Sequence, residues 1–110
     1  AHDVIAAILH DTNVVIPLDV PNKGNIPELG PDDVIEPPCE VGRNDPRPLG
    51  VGPLPPAVRD LVVQVKEYER ATIDAGLDPS PQSLGAALAL NPLVPSRAVA
   101  DRLVHQLRLA

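Results

Sequence analysis

The stretch from Arg47 to Gly76 limits what this chain can fold into more than any other. An extended approach, Arg47-Pro48-Leu49-Gly50-Val51-Gly52-Pro53-Leu54, runs into Pro55-Pro56 and then into one long amphipathic segment. There Val58, Leu61, Val62, Val65, Tyr68 and Ile73 recur mostly at three- and four-residue steps, with Arg59, Asp60, Lys66, Glu67, Glu69 and Arg70 on the other side. That spacing predicts a core helix with one wet face, around which the rest of the chain is expected to pack. Proline in a first helical turn loses no needed hydrogen bond, because those amides have no intrahelical partner, and Gly76 is expected to supply a left-handed stop after Ala75.

At 110 residues the chain is one domain or part of one. Its core must be aliphatic, since Tyr68 is the only aromatic residue. Nucleic-acid binding needs aromatic platforms and cationic side chains; both are scarce, and a formal charge of −6 repels phosphate backbones and anionic lipid. Apolar runs fall far short of the roughly 20 residues that span a bilayer, and no basic-then-apolar signal opens the chain, so a soluble cytoplasmic protein is expected. Cys39 stands alone, which rules out an internal disulfide and a cysteine-rich zinc site; it reads as a small buried strand residue. Methionine is absent, position 1 included, and the chain opens in a helix-like run, as expected of a piece of something longer.

Residues 1–11 place Ile5, Ile8 and Leu9 on one helical stripe. His2-Asp3 and His10-Asp11 lie two turns and roughly 80° apart on that helix, too far to share an ion, and read as solvated. Thr12-Asn13 ends it. Val14 to Val20 then alternates as a strand with Val14, Ile16, Leu18 and Val20 on one face and Pro17 at an edge or bulge. From Pro21 to Pro31 turn residues dominate, and within this connection Asn22, Lys23 and Asn25 offer donors for a hydroxylated or phosphorylated ligand. A second strand is expected over 32–41, with Ile35, Cys39 and Val41 on one face and Asp32, Asp33, Glu36 and Glu40 solvated, then a third extended piece from Arg47. Three such segments make a small antiparallel sheet. Ser80 caps and Pro81 opens a short helix to about Leu90; Ser96 caps a last one burying Ala100, Leu103, Val104 and Leu107, with Arg102 and His105 outside and Arg108 near the negative helix end. The fold class is therefore α+β: a small antiparallel sheet, a long central helix and shorter C-terminal helices.

No glycine-rich dinucleotide or phosphate loop, His-Glu-x-x-His, Gly-x-Ser-x-Gly or fixed-period repeat occurs. The carboxylates lack the apolar pocket that would separate an acid from a base.

Val20-Pro21-Asn22-Lys23-Gly24-Asn25-Ile26-Pro27-Glu28-Leu29, followed by Asp32-Asp33-Val34-Ile35-Glu36-Pro37-Pro38-Cys39, resembles the C-terminal region of glycoside hydrolase family 4. Arg47-Pro48-Leu49 with Val51-Gly52-Pro53-Leu54-Pro55-Pro56, then Val65 to Ile73, then Asn91-Pro92-Leu93-Val94, resemble further blocks in the same order, nearest in flavour to the 6-phospho-β-glucosidase branch. The resemblance implies a cytoplasmic homo-oligomeric enzyme that uses NAD and a divalent metal, usually manganese, to hydrolyse phosphorylated or plain glycosides by oxidation at C3, proton abstraction at C2 and elimination. Residues 1–110 would be a fragment of its α+β C-terminal domain, related to that of lactate and malate dehydrogenases. The dinucleotide-binding domain and every catalytic, cofactor and metal residue would lie upstream, leaving the fragment inert. Cys39 and Tyr68 match neither the family's metal cysteine nor its tyrosine base. Asn22, Lys23 and Asn25 are then the substrate-proximal candidates. Asp74 to Pro81 departs from the family's helix pair and leaves the substrate branch open. The competing reading is a free-standing interaction or oligomerisation module with no activity.

Overall fold

The computed structural model describes residues 1–107, which fall into two compact units, the first ending at Leu54 and the second starting at Pro55. Arg108, expected near the end of the last helix, lies outside the described residues.

In the first unit, α1 (His2–His10) precedes five short strands: β1 (Val14–Pro17), β2 (Val20–Pro21), β3 (Val34–Ile35), β4 (Pro38–Val41) and β5 (Arg47–Pro48). The expected three-stranded antiparallel sheet forms in the order β1-β4-β5, pairing Val14 with Val41, Ile16 with Cys39 and Glu40 with Arg47. β2 and β3 make a separate antiparallel pair. Each of the two expected continuous strands is thus broken in the middle. The reason lies in the donors. Leu18 donates to the Pro37 carbonyl at 3.3 Å, but Pro37 has no N–H to return to Leu18, so the ladder stops beyond the Pro17–Pro38 pair.

Side-chain alternation survives the break. Asp33, Ile35, Pro37, Cys39 and Val41 are all buried while Val34, Glu36 and Pro38 are exposed. Cys39 and Val41 are fully enclosed and pack with Ala7 of α1, covered by Val4, Ile16, Leu18 and Val20. The α1 stripe is a correction: Ala7 is the buried residue, and Ile5, Ile8 and Leu9 are exposed. Val14, the first residue of the expected inward strand face, is exposed as well.

The second unit is a three-helix stack of α2 (Pro56–Leu77), α3 (Pro81–Leu90) and α4 (Arg97–Leu107), in which α3 packs against both of the others. Pro56 opens α2 as expected, whereas Gly76 is helical and the helix runs on to Leu77, with Asp78 as its cap at φ −133°. The stop comes from Pro79, which disfavours helical backbone at the residue before it. Within α2 only Ala75 is fully buried; Val62, Val65 and Tyr68 are half-buried, and Val58, Leu61 and Ile73 are exposed, so the predicted stripe is far from fully covered. Ser80 accepts from the Ser83 amide while the Ser83 hydroxyl accepts from the Ser80 amide, both at 3.0 Å, a reciprocal capping box. Ser96 Oγ likewise accepts from the Val99 amide at 3.3 Å. α4 approaches α3 at Gly85, where a Cβ would lie 2.5 Å from Asp101 Oδ1 and 3.2 Å from Arg97 Nη2. Ala100 and Val104 are buried as expected, but Leu103 is only half-buried and Leu107 is exposed.

Candidate functional site

The connection between β2 and β3 is a built loop. Asn22 lies at its base with no exposed surface, although a polar side chain placed there must have every hydrogen-bonding group answered. Its Nδ2 is within reach of the carbonyls of Ile26 at 2.9 Å, Leu29 at 3.1 Å and Gly30 at 3.1 Å, and its Oδ1 accepts from the Ile26 amide at 2.8 Å. One side chain therefore gathers eight residues of backbone into a bowl. Ile26 and Leu29 close the bowl from within as buried apolar groups.

Asn22 to Asn25 form the tip. The Asn25 amide donates to the Asn22 carbonyl at 2.9 Å, with Lys23 at φ 44° and Gly24 at φ 86°, the signs of a type I′ turn. The Asn25 side chain donates to the same carbonyl at 2.8 Å. The two ends of the turn are tied back, Asn22 N–H to Asp33 O at 2.7 Å and Lys23 N–H to Pro31 O at 2.9 Å. Asp33 is a correction to its expected solvation: it is buried, and its Oδ2 accepts from the Gly30 amide at 2.7 Å. The segment before α2 also joins in. Gly52 donates to the Asn25 carbonyl at 3.1 Å and the Leu54 amide meets the Glu28 carboxylate at 3.3 Å.

The three candidate residues are therefore adjacent but differently placed. Asn22 has its donors engaged inside the loop, Asn25 is half-buried and holds the turn, and Lys23 is exposed at the tip. Asp33, Glu28 and Gly52 were not singled out for the loop by the sequence; Asp33 sits three residues after Gly30 in a Gly-Pro-Asp-Asp run, which is the one local hint of side-chain-to-backbone closure.

Elsewhere the chemistry is quiet. Asn13, Glu40, Gly42, Asn44, Asp45 and Arg47 line a polar depression of about 190 Å³, but its one arginine is already paired with Glu40. Among the described residues no three His, Cys, Asp or Glu side chains converge on a point where a metal could sit. Cys39 is enclosed, with its Sγ 3.4 Å from the Pro37 carbonyl. His2, Asp3, His10 and Asp11 are exposed on α1 and at its end, as expected. The residues described thus do not fit a divalent metal site. No described helix is long and apolar enough to cross a membrane.

Residues 1–94 match the sequence model of the family 4 glycosyl hydrolase C-terminal domain. A probable 6-phospho-beta-glucosidase of Bacillus subtilis is 34% identical over 107 residues, which make up 97% of this chain and 24% of that relative. The phospho-alpha-glucosidase PagL of Clostridium acetobutylicum is 36% identical over 105 residues, 96% of this chain and 24% of the relative. Among solved structures, a 6-phospho-alpha-glucosidase from gut microorganisms in complex with NAD and Mn2+ superposes with a TM-score of 0.89 at 30% identity, over 96% of this chain and 24% of that one. The 6-phospho-beta glucosidase of Thermotoga maritima with manganese, NAD+ and glucose-6-phosphate gives 0.84 at 30% identity, over 94% and 26%. The chain thus spans about a quarter of the length of the relatives it matches. In sequence and in fold it belongs to the family 4 glycosyl hydrolases, as their C-terminal domain.

Proposed function

We propose that this chain is the C-terminal lobe of a cytoplasmic, homo-oligomeric glycosidase that hydrolyses 6-phosphoglycosides with the help of NAD and a divalent metal, manganese by preference. The observation that carries the proposal is the match along nearly the whole chain to relatives named as phosphoglucosidases, joined by neighbours solved with NAD and manganese. α- and β-type enzymes occur side by side among them, which leaves the anomer open.

On this reading the oxidation and elimination chemistry belongs to a dinucleotide-binding domain elsewhere in the longer protein, and the present lobe is inert by itself. Its role is to shape and position. The loop from Asn22 to Asn25 forms part of the wall facing the sugar and its phosphate, and the exposed apolar residues of α1 and α2 meet the remainder of the enzyme or another subunit.

Two samples test the proposal: the 110-residue chain and the full-length protein carrying it, each assayed with NAD, Mn2+ and the α- and β-anomers of an aryl 6-phosphoglucoside. The full-length protein is expected to release the aryl alcohol and the isolated chain to release none. Hydrolysis or NAD binding by the isolated chain would overturn the division of labour. A full-length protein inert toward both anomers would favour the interaction-module reading instead.

A further inference from the structure

We infer that the turn tip, the Lys23 ammonium together with the Gly24 amide, holds the phosphate of the substrate, and that Asn22 is the positioning residue beneath it. This rests on the phosphoglycosidase reading above and assigns roles within the same loop.

Three observations on the loop converge. First, every backbone amide around the tip except one is engaged: Asn22 with Asp33, Lys23 with Pro31, Asn25 with Asn22 and Ile26 with the Asn22 side chain. Gly24 N–H has no partner among the described residues, and nothing lies within 4 Å of where a Gly24 Cβ would be. Second, Lys23 is exposed with no ion-pair partner among the described residues, in a chain whose other charges sum to a strong negative excess. An ammonium next to a free amide is a pair of donors suited to a phosphate dianion, since hydrogen bonds to a charged acceptor are stronger than neutral ones. Third, lysine is a poor choice for its backbone. The first central position of a type I′ turn has positive φ and favours Asn, Asp or Gly, while a lysine there carries a steric penalty of about 1 kcal/mol. Local preference is overridden at this position, as happens where a side chain serves something other than folding.

Asn22 supplies the rigidity. Its side chain fixes both ends of the bowl from the interior, so the tip cannot rotate Lys23 away without breaking buried hydrogen bonds. A phosphate contact fixed in advance loses less order on binding.

The test uses the full-length enzyme and an aryl 6-phosphoglucoside. Lys23→Asn removes the charge but suits the turn, so melting temperature should hold or rise while KM rises about tenfold and kcat stays within about twofold. Inhibition by inorganic phosphate should weaken in parallel, and Lys23→Arg should restore most of both. Arg59→Ala, which removes one positive charge from exposed α2 surface, should leave KM unchanged. Asn22→Ala combined with Lys23→Asn should raise KM by less than the product of the two single effects, because Asn22 acts in part through the Lys23 ammonium and keeps only its hold on the Gly24 amide once that charge is gone. The Lys23 variants leave the side-chain network of Asn22 intact, so they decide the matter even where Asn22→Ala does not fold. An unchanged KM in Lys23→Asn would overturn the inference while leaving the proposed activity standing. A wild-type enzyme that cleaves no 6-phosphoglycoside would sink the proposed activity and this inference with it.

Discussion

Asn22 and Ile26 are joined twice: the Ile26 amide donates to Asn22 Oδ1 at 2.8 Å, and the Ile26 carbonyl accepts from Asn22 Nδ2 at 2.9 Å. A side-chain amide thereby stands in for a backbone strand partner, in a place where water cannot do so. Asn22→Ala should lower the unfolding free energy by about 3 kcal/mol, because a buried donor and several carbonyls are stranded together. Urea denaturation of the chain followed by circular dichroism would measure it; a loss under about 1 kcal/mol would mean that the loop refastens by other bonds.

Gly76 gives a sharper test of helix termination. Its backbone is helical and nothing lies within 4 Å of a prospective Cβ, so Gly76→Ala should stabilise the chain by about 0.5–1 kcal/mol through helix propensity. Were Gly76 the left-handed stop that the sequence predicts, the same substitution would destabilise. Thermal melting distinguishes the two signs.

At the start of α3, Ser80→Ala should reduce stability by about 1 kcal/mol. It removes the acceptor for the Ser83 amide and leaves only the Ser83 hydroxyl bonded back to the Ser80 amide. Ser80→Asp should recover most of the loss, which a melting series on the two variants would show.

Cys39 is enclosed by Ala7, Val41 and their apolar neighbours. Cys39→Ala should therefore lower stability by about 1–2 kcal/mol through the small void it leaves. In the full-length enzyme the manganese dependence of the rate should not move, as a metal titration of activity would establish. A weaker manganese response would return this thiol to the metal site.

Helix boundaries could be read from sequence because proline and serine act locally: Pro56, Ser80, Pro81 and Ser96 each do their work within one turn of where they stand. The alternation from Asp33 to Val41 was readable for the same reason, since period two is a backbone property. What periodicity does not carry is the identity of the covering surface. Ile5, Ile8 and Leu9 form as good a stripe as any, yet the small Ala7 is what faces the sheet. Gly76 misled because a glycine carries no mark of whether it continues a helix or ends it; Pro79, three residues on, decided the matter. The candidate loop was readable as a turn with available donors. Its internal economy was not, because the buried role of Asn22 depends on the carbonyls of Leu29 and Gly30, and that of Asp33 on the Gly30 amide, groups that only the folded loop brings within reach.

Exposed Ile5, Leu9, Leu61, Ile73, Leu77 and Leu93 should make the isolated chain self-associate, and light scattering across a concentration series should show masses above 11.6 kDa. A strictly monomeric chain would show that these side chains are too scattered to act as a surface.

The outer strands of the sheet, β1 and β5, each end on a proline, Pro17 and Pro48. A neighbouring molecule that tried to extend the sheet would meet a missing donor on either flank. Association of this chain should accordingly proceed by sticking of helical faces and stay free of fibrils, with clouded samples that leave thioflavin dark.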